Sequence, residues 1–212
     1  MANPTPPPRH PASPLVVGVI GAVGSGKSAV AAAFAQYGAA VVSGDVAGHE
    51  ALRQPKIREQ VVQRWGRDLL DDKGEIDRRM LAAIVFNDPA ERRALEALVF
   101  PWIEQRLRER IAVAKKDPRV PLIILDAAVM LEAGWHAECD RLLFVDAPTA
   151  LRLKRLAEGR GWTEQEVRDR ERAQLPSREK RNRADAILDN SGSRDELRQR
   201  VEAILKQWGI KD

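Results

Sequence analysis

The sequence predicts an α/β protein of three layers, a five-stranded parallel sheet with helices packed on both faces. Two observations carry this reading. Short apolar, β-branched runs alternate with helix-forming segments along most of the 212 residues, the pattern of strands buried on both faces and joined by helical crossovers. The first run, Leu15-Val16-Val17-Gly18-Val19-Ile20, passes into Gly21-Ala22-Val23-Gly24-Ser25-Gly26-Lys27-Ser28 and then into the helix formers Ala29 to Ala35. Strand, glycine turn and helix in that order begin a parallel crossover unit. Ligands of such sheets sit at the carboxyl ends of the strands.

The elements follow in order. Strands are predicted at 15–20, 40–43, 121–126, 141–146 and 185–189. The first helix spans 28–37 and ends at Gly38, a glycine suited to a C-cap. A helical stretch without strands occupies roughly 46–117. Within it Asp88-Pro89 reads as N-cap and first-turn proline, and Pro101 is expected to break or kink its helix. Pro148 starts a helix, Thr163 caps another, and Ser193-Arg194-Asp195-Glu196 is a capping box opening the last. Six prolines among residues 1–14 predict a disordered tail, leaving 15–212 as one domain.

Composition narrows the function. Charged residues make up 31% and aromatics 5%, as in a helix-rich soluble chain. Cys139 is the single cysteine, which excludes an intrachain disulfide and suits a reducing cytoplasm. No apolar run has membrane-span length, and no signal-peptide core is visible. The net charge is +4, yet residues 151–183 alone hold eleven Lys/Arg against six Asp/Glu. That segment reads as a solvated helix pair, as an arginine-rich lid over a triphosphate, or as a nucleic-acid surface. The last is weakened because Trp162 is its only aromatic residue. His10, His49 and His136 lack ligand spacing and are expected to be inert.

Chemistry concentrates in the glycine turn. Gly21 to Ser28 fits G-x-x-x-x-G-K-[ST], and its position between strand and helix gives the pattern meaning. The glycines let backbone N–H groups converge on phosphate oxygens at a helix N-terminus that continues through Ala29. Lys27 is expected to reach the β- and γ-phosphates and the Ser28 hydroxyl to ligate Mg²⁺. Asp126, after four apolar strand residues, is a candidate to hold Mg²⁺ through water. Ala127 follows it, and the absence of an acid there argues against motor-type ATPases. Asp45, at the end of the second strand, has two readings. It caps the following helix, or it accepts a proton from a hydroxyl near the γ-phosphate.

The order of elements resembles the dephospho-coenzyme A kinases, a family of the P-loop NTPase fold, from about Val16 to the last helix. Gly38 to Asp45 is similar to the family's glycine, strand and Asp-x-Asp segment. Leu125-Asp126-Ala127-Ala128-Val129-Met130-Leu131-Glu132 is similar to its Asp-x-Pro-Leu-Leu-x-Glu segment. Arg170-Glu171-Arg172-Ala173-Gln174, with Lys180 and Ala184-Asp185, matches its R-x-x-x-Q…K-x-x-x-A-D pattern. Ile187-Leu188-Asp189-Asn190-Ser191-Gly192 matches its closing strand and Asn-x-Gly turn. Three positions depart: Ser43 replaces the first acid of Asp-x-Asp, Phe100 precedes Pro101 in place of His, and Ala128 replaces the proline. The resemblance implies transfer of the ATP γ-phosphoryl to the ribose 3′-hydroxyl of dephospho-coenzyme A, with Mg²⁺ as cofactor. It gives Asp45 the part of base, Arg155 and Arg160 that of lid arginines, and Asn190 a nucleotide contact. It makes the 46–117 stretch an acceptor-side insertion and 151–183 a lid, with neither nucleic acid nor membrane as partner. Two rivals are a P-loop kinase for another small acceptor, such as a nucleoside or nucleotide, and a nucleotide-dependent nucleic-acid-binding module.

Overall fold

Alternate residues of the first strand divide the protein into its two cores. The structure is a computed structural model, described here for residues 13–210. The expected disordered tail therefore lies outside the described residues, but for its last two positions. In β1 (Leu15–Gly21), Val16 and Ile20 point to one face and Val17 and Val19 to the other, as the period of two requires. All four are buried.

Four further strands, β2 (Ala40–Ser43), β3 (Leu122–Asp126), β4 (Arg141–Asp146) and β5 (Ala186–Asp189), complete one sheet in the order β2-β3-β1-β4-β5. All four pairings are parallel. On the Val17 face lie α1 (Lys27–Ala35) and α9 (Arg194–Gln207), which contribute Phe34 and Val201 to that core. On the Val16 face lie α2 (Gly44–Arg53), α3 (Pro55–Trp65), α4 (Arg78–Asn87) and α5 (Pro89–Lys115), with Ala47, Ile103 and Leu107 against Ile123 and Leu125. Three further helices, α6 (Thr149–Arg160), α7 (Glu164–Arg172) and α8 (Ser177–Asn182), carry the basic segment. Val23 of the glycine turn, Leu156 of α6 and Val167 of α7 form a third small core. The architecture is thus the three-layer α/β/α of the P-loop fold.

The strands fall within a residue of their predicted bounds. The first helix ends at Ala35, two residues early, and the chain leaves it through Gly38 at φ +87°. Pro101 does not break its helix, because α5 runs unbroken through it. Pro101 and Ala97, whose carbonyl loses its usual partner, both sit on the exposed face, where water serves instead. The stretch predicted to lack strands holds only an isolated antiparallel bridge between Leu70 and Ile76. Among the described residues no helix is long and apolar enough to cross a membrane.

The start of α2 decides one of the open readings. Ser43 is its N-cap, its hydroxyl accepting from the Val46 N–H at 3.3 Å, and Asp45 lies within the first turn. Asp45 is therefore not the cap; its charge merely suits the positive end of the helix. Ser43→Ala should destabilise the protein by about 1 kcal/mol, a cost typical of a lost N-cap, whereas Ser43→Asp should be close to neutral. Thermal midpoints of the two variants would check this.

Candidate active site

Parallel register brings the chemistry to one edge. Val19 pairs with Asp126, and Asp126 with Ser43. β2 and β3 end level and β1 continues two residues further, so the glycine turn, Asp126 and the start of α2 emerge side by side. Gly44 makes the close approach feasible, since a Cβ there would lie 2.7 Å from the Cβ of Ala127. In the turn, Gly26 has φ +89°, a conformation that disfavours side chains, and a Cβ would meet Asn190 Nδ2 at 2.2 Å. Gly26 also caps α1 without a side chain, and the first turn carries no acid. The N–H groups at that helix start have no side-chain competitor.

These groups line a cavity of about 630 Å³ together with Lys27, Ser28, Asp45 and Asp126. Lys27 Nζ donates to the carbonyls of Gly21 and Ala22 at 3.2 and 3.1 Å. Burial, and then the nearby Lys180 ammonium, push its pKa down to about 8, against the opposing pull of Asp126, Asp45 and Glu132. Burial likewise raises the Asp126 carboxyl, with the Ser28 hydroxyl and Lys27 acting the other way. Ser28, Asp126 and Asp45 offer only oxygen donors, which fits Mg²⁺, an ion commonly held by one or two carboxylates with phosphate and water. Among the described residues no group of three or more His, Cys, Asp or Glu could hold a metal, and a site completed by substrate phosphate does not require one.

The basic segment closes the opposite wall. Arg155, Arg160 and Arg170 all line the cavity. Arg155 Nη1 is buried without a hydrogen-bond partner. An unpaired buried guanidinium nitrogen is costly, and this one faces the space where phosphate charge would satisfy it. Arg160 and Arg170 stack on the Trp162 ring, 4.9 and 3.8 Å from its centroid.

Three features were not singled out from sequence. Arg152, only 8% exposed, donates to the Val23 carbonyl at 2.7 Å and to Glu171 at 2.6 Å, pinning α6 and α7 to the glycine turn. Nothing in its composition distinguishes it from Arg155, one turn further on; only burial does. Trp162 was noted as the one aromatic residue of the basic segment, not as a platform for arginines. Glu132, Gln174 and Lys180 stood within the quoted motifs but were assigned no role. Asn190 is placed beneath the glycine turn rather than on the cavity wall: it is 5% exposed and donates to the Ser25 carbonyl at 2.8 Å. Phe100 lines the cavity and packs edge-on against Trp135, with ring centroids 5.1 Å apart.

A phosphate loop at the central strand, two acids at neighbouring strand ends and an arginine-bearing helical flap define a small P-loop kinase. Solved structures agree on the fold: shikimate kinase from Acinetobacter baumannii, 14% identical, superposes with a TM-score of 0.50 over 92% of each chain. Within that class the chain belongs to the dephospho-CoA kinase family, whose model matches residues 15–196. The dephospho-CoA kinase of Geobacillus kaustophilus is 39% identical over 196 residues, covering 92% of this chain and 96% of that protein. The crystal structure of a Thermus thermophilus protein, 36% identical, has a TM-score of 0.74 over 92% of this chain and 97% of that one.

The lowered pKa of Lys27 has a measurable sign. As pH rises through about 8, the native side chain loses its proton while an unfolded lysine keeps it to about 10.5. Folding stability therefore gains across that interval, but the cation facing the phosphates is lost. Affinity for a nucleoside triphosphate, followed by calorimetric titration, should weaken above about pH 8. Lys27→Arg, which stays charged, should show no such decline.

Proposed function

We propose that this protein is a dephospho-coenzyme A kinase, transferring the γ-phosphoryl of ATP to the ribose 3′-hydroxyl of dephospho-coenzyme A and releasing ADP and coenzyme A. The observation that carries the reading is the placement of Asp45. With Ser43 serving as cap, Asp45 is left exposed on the cavity wall opposite the lid arginines, among Lys27, Ser28 and Asp126.

In this reading the amides of Gly21 to Ala29 and the Lys27 ammonium hold the β- and γ-phosphate oxygens. Phosphoryl transfer passes through a loose transition state, so positioning and neutralisation of charge matter most. Ser28 and Asp126 would hold Mg²⁺. When bound, the ion neutralises charge on the β- and γ-oxygens. Asp45 orients the acceptor hydroxyl and takes its proton. Arg155 and Arg160 approach the transferring group from the lid, residues 151–183. The helices α2 to α5 supply the acceptor side, where Val99 and Phe100 offer apolar surface. Asn190 serves the nucleotide indirectly, by fixing the Ser25 carbonyl and with it the shape of the loop. Cys139, whose thiol burial pushes up to about 12, is unreactive, in keeping with work in a reducing cytoplasm.

Asp45→Asn keeps the side-chain shape while removing the base. ADP release dependent on dephospho-coenzyme A should fall by about 10²–10⁴, the range for loss of a general base, with an unchanged thermal midpoint. Equal rates would move the base elsewhere and reopen the choice of acceptor. The lid assignment has its own measurement. Amide hydrogen exchange across 151–183 should slow when ATP and dephospho-coenzyme A are both present, and unchanged protection would leave that segment a static surface.

A further inference from the structure

A buried lysine fixes the orientation of a polar side chain on the cavity wall. Lys180, on α8, is only 2% exposed. Its Nζ reaches Glu132 Oε1 at 3.0 Å and Gln174 Oε1 at 2.8 Å. The same Glu132 oxygen accepts the backbone N–H of Leu175 at 2.7 Å. This ion pair, buried at its lysine end, ties the loop after β3 to α8, and the Leu175 hydrogen bond ties it to the turn between α7 and α8. Such a pair is weak evidence for stability and better suited to holding one arrangement against others.

The chemistry of the ammonium then dictates the amide. Lysine has three donors and no acceptor, so Gln174 must turn its oxygen toward Nζ. Its nitrogen, with two N–H donors, is left on the other side, and Gln174 lines the cavity. The Glu132 loop also supplies Ala128 and Val129 to that wall, which is completed by Val99 and Phe100 of α5. Val99 and Phe100 belong to the surface assigned above to the acceptor, and Lys180 and Glu132 also lie near enough to Lys27 to act on its charge.

We propose that Gln174 is a specificity contact for the acceptor: Lys180 and Glu132 hold its amide nitrogen outward to donate to an oxygen of the bound dephospho-coenzyme A. Lys180 and Glu132 are positioning residues that act through it. The inference rests on the acceptor assignment made under the proposed function.

The test compares wild type, Gln174→Glu and the double variant Glu132→Gln/Lys180→Met, with ATP and dephospho-coenzyme A varied separately. Gln174→Glu keeps an oxygen for Lys180 and replaces the two N–H donors by a second oxygen. KM for dephospho-coenzyme A should rise about tenfold or more, as for a lost hydrogen bond in a desolvated site, while KM for ATP and the thermal midpoint stay within error. The double variant removes the buried Lys180 charge together with that of its partner Glu132 and frees the amide to turn. Its KM for dephospho-coenzyme A should rise by a smaller factor than in Gln174→Glu. An unaltered acceptor KM in Gln174→Glu, or a rise in the ATP KM instead, overturns the contact. A double variant with wild-type acceptor KM overturns the positioning role. Failure of the wild-type protein itself to phosphorylate dephospho-coenzyme A would strike the acceptor assignment, a result distinct from any change confined to the variants.

Discussion

The parallel register of β1, β2 and β3 is the constraint from which the site follows. The ladder running from Val19 through Asp126 to Ser43 ends β2 and β3 level with each other, with β1 continuing two residues further into the glycine turn. A slip of one residue in β3 would turn Asp126 to the other face of the sheet and place Leu125 or Ala127 where the carboxylate stands. β3 is apolar on both faces, so Asp126 is the residue of that strand whose burial a slip would most change. Catalytic geometry and core packing are therefore enforced by the same hydrogen bonds.

Glycine and small residues complete that arrangement by admitting backbone where side chains would collide. Gly44 lets α2 begin against Ala127. Gly26 lets the loop pass over Asn190, which returns the contact with a hydrogen bond to Ser25. The loop is thus held from behind by the last strand and its turn, and from the side by Arg152. Preorganisation of this kind lowers the cost of ordering donors around a polyanion, which matters for a transition state stabilised chiefly by position and charge.

What could be read from the sequence followed the strength of the local signal. The strands were legible to within a residue because runs such as Leu122-Ile123-Ile124-Leu125 are buried on both faces and carry no competing pattern. The phosphate loop was legible because its spacing has a mechanical reason. Helix ends were less so: Ser43 and Asp45 are both good caps, and only the Ser43–Val46 hydrogen bond separates them. Pro101 misled because its cost depends on which face of α5 it occupies, and that face is set by tertiary packing. Among the arginines, local charge density marked the segment but not the individuals. Arg152 is buried in a bridge, Arg155 has an unpaired nitrogen, and Arg160 lies on an indole, although all three belong to one helix or its end. The Glu132–Lys180–Gln174 connection joins Glu132 to residues more than forty positions further on, so the sequence showed them as motif matches without a shared role until the fold brought them together.

The Arg152 bridge constrains the lid proposed above. Its guanidinium joins the Val23 carbonyl to Glu171 and to Thr149, so the first turn of α6 and the last of α7 share an anchor with the loop itself. A flap clamped at both of its roots cannot swing as a gate about one hinge. In that proposal the lid's freedom would lie at the apex between them, near Gly159 and Gly161, where a Cβ would meet nothing within 4 Å. The flap would then be a hairpin with a fixed base and a compliant tip. On that proposal Arg160 sits at the tip and Arg155 nearer the base, so the two arginines would meet a ligand from unequally anchored parts of one helix.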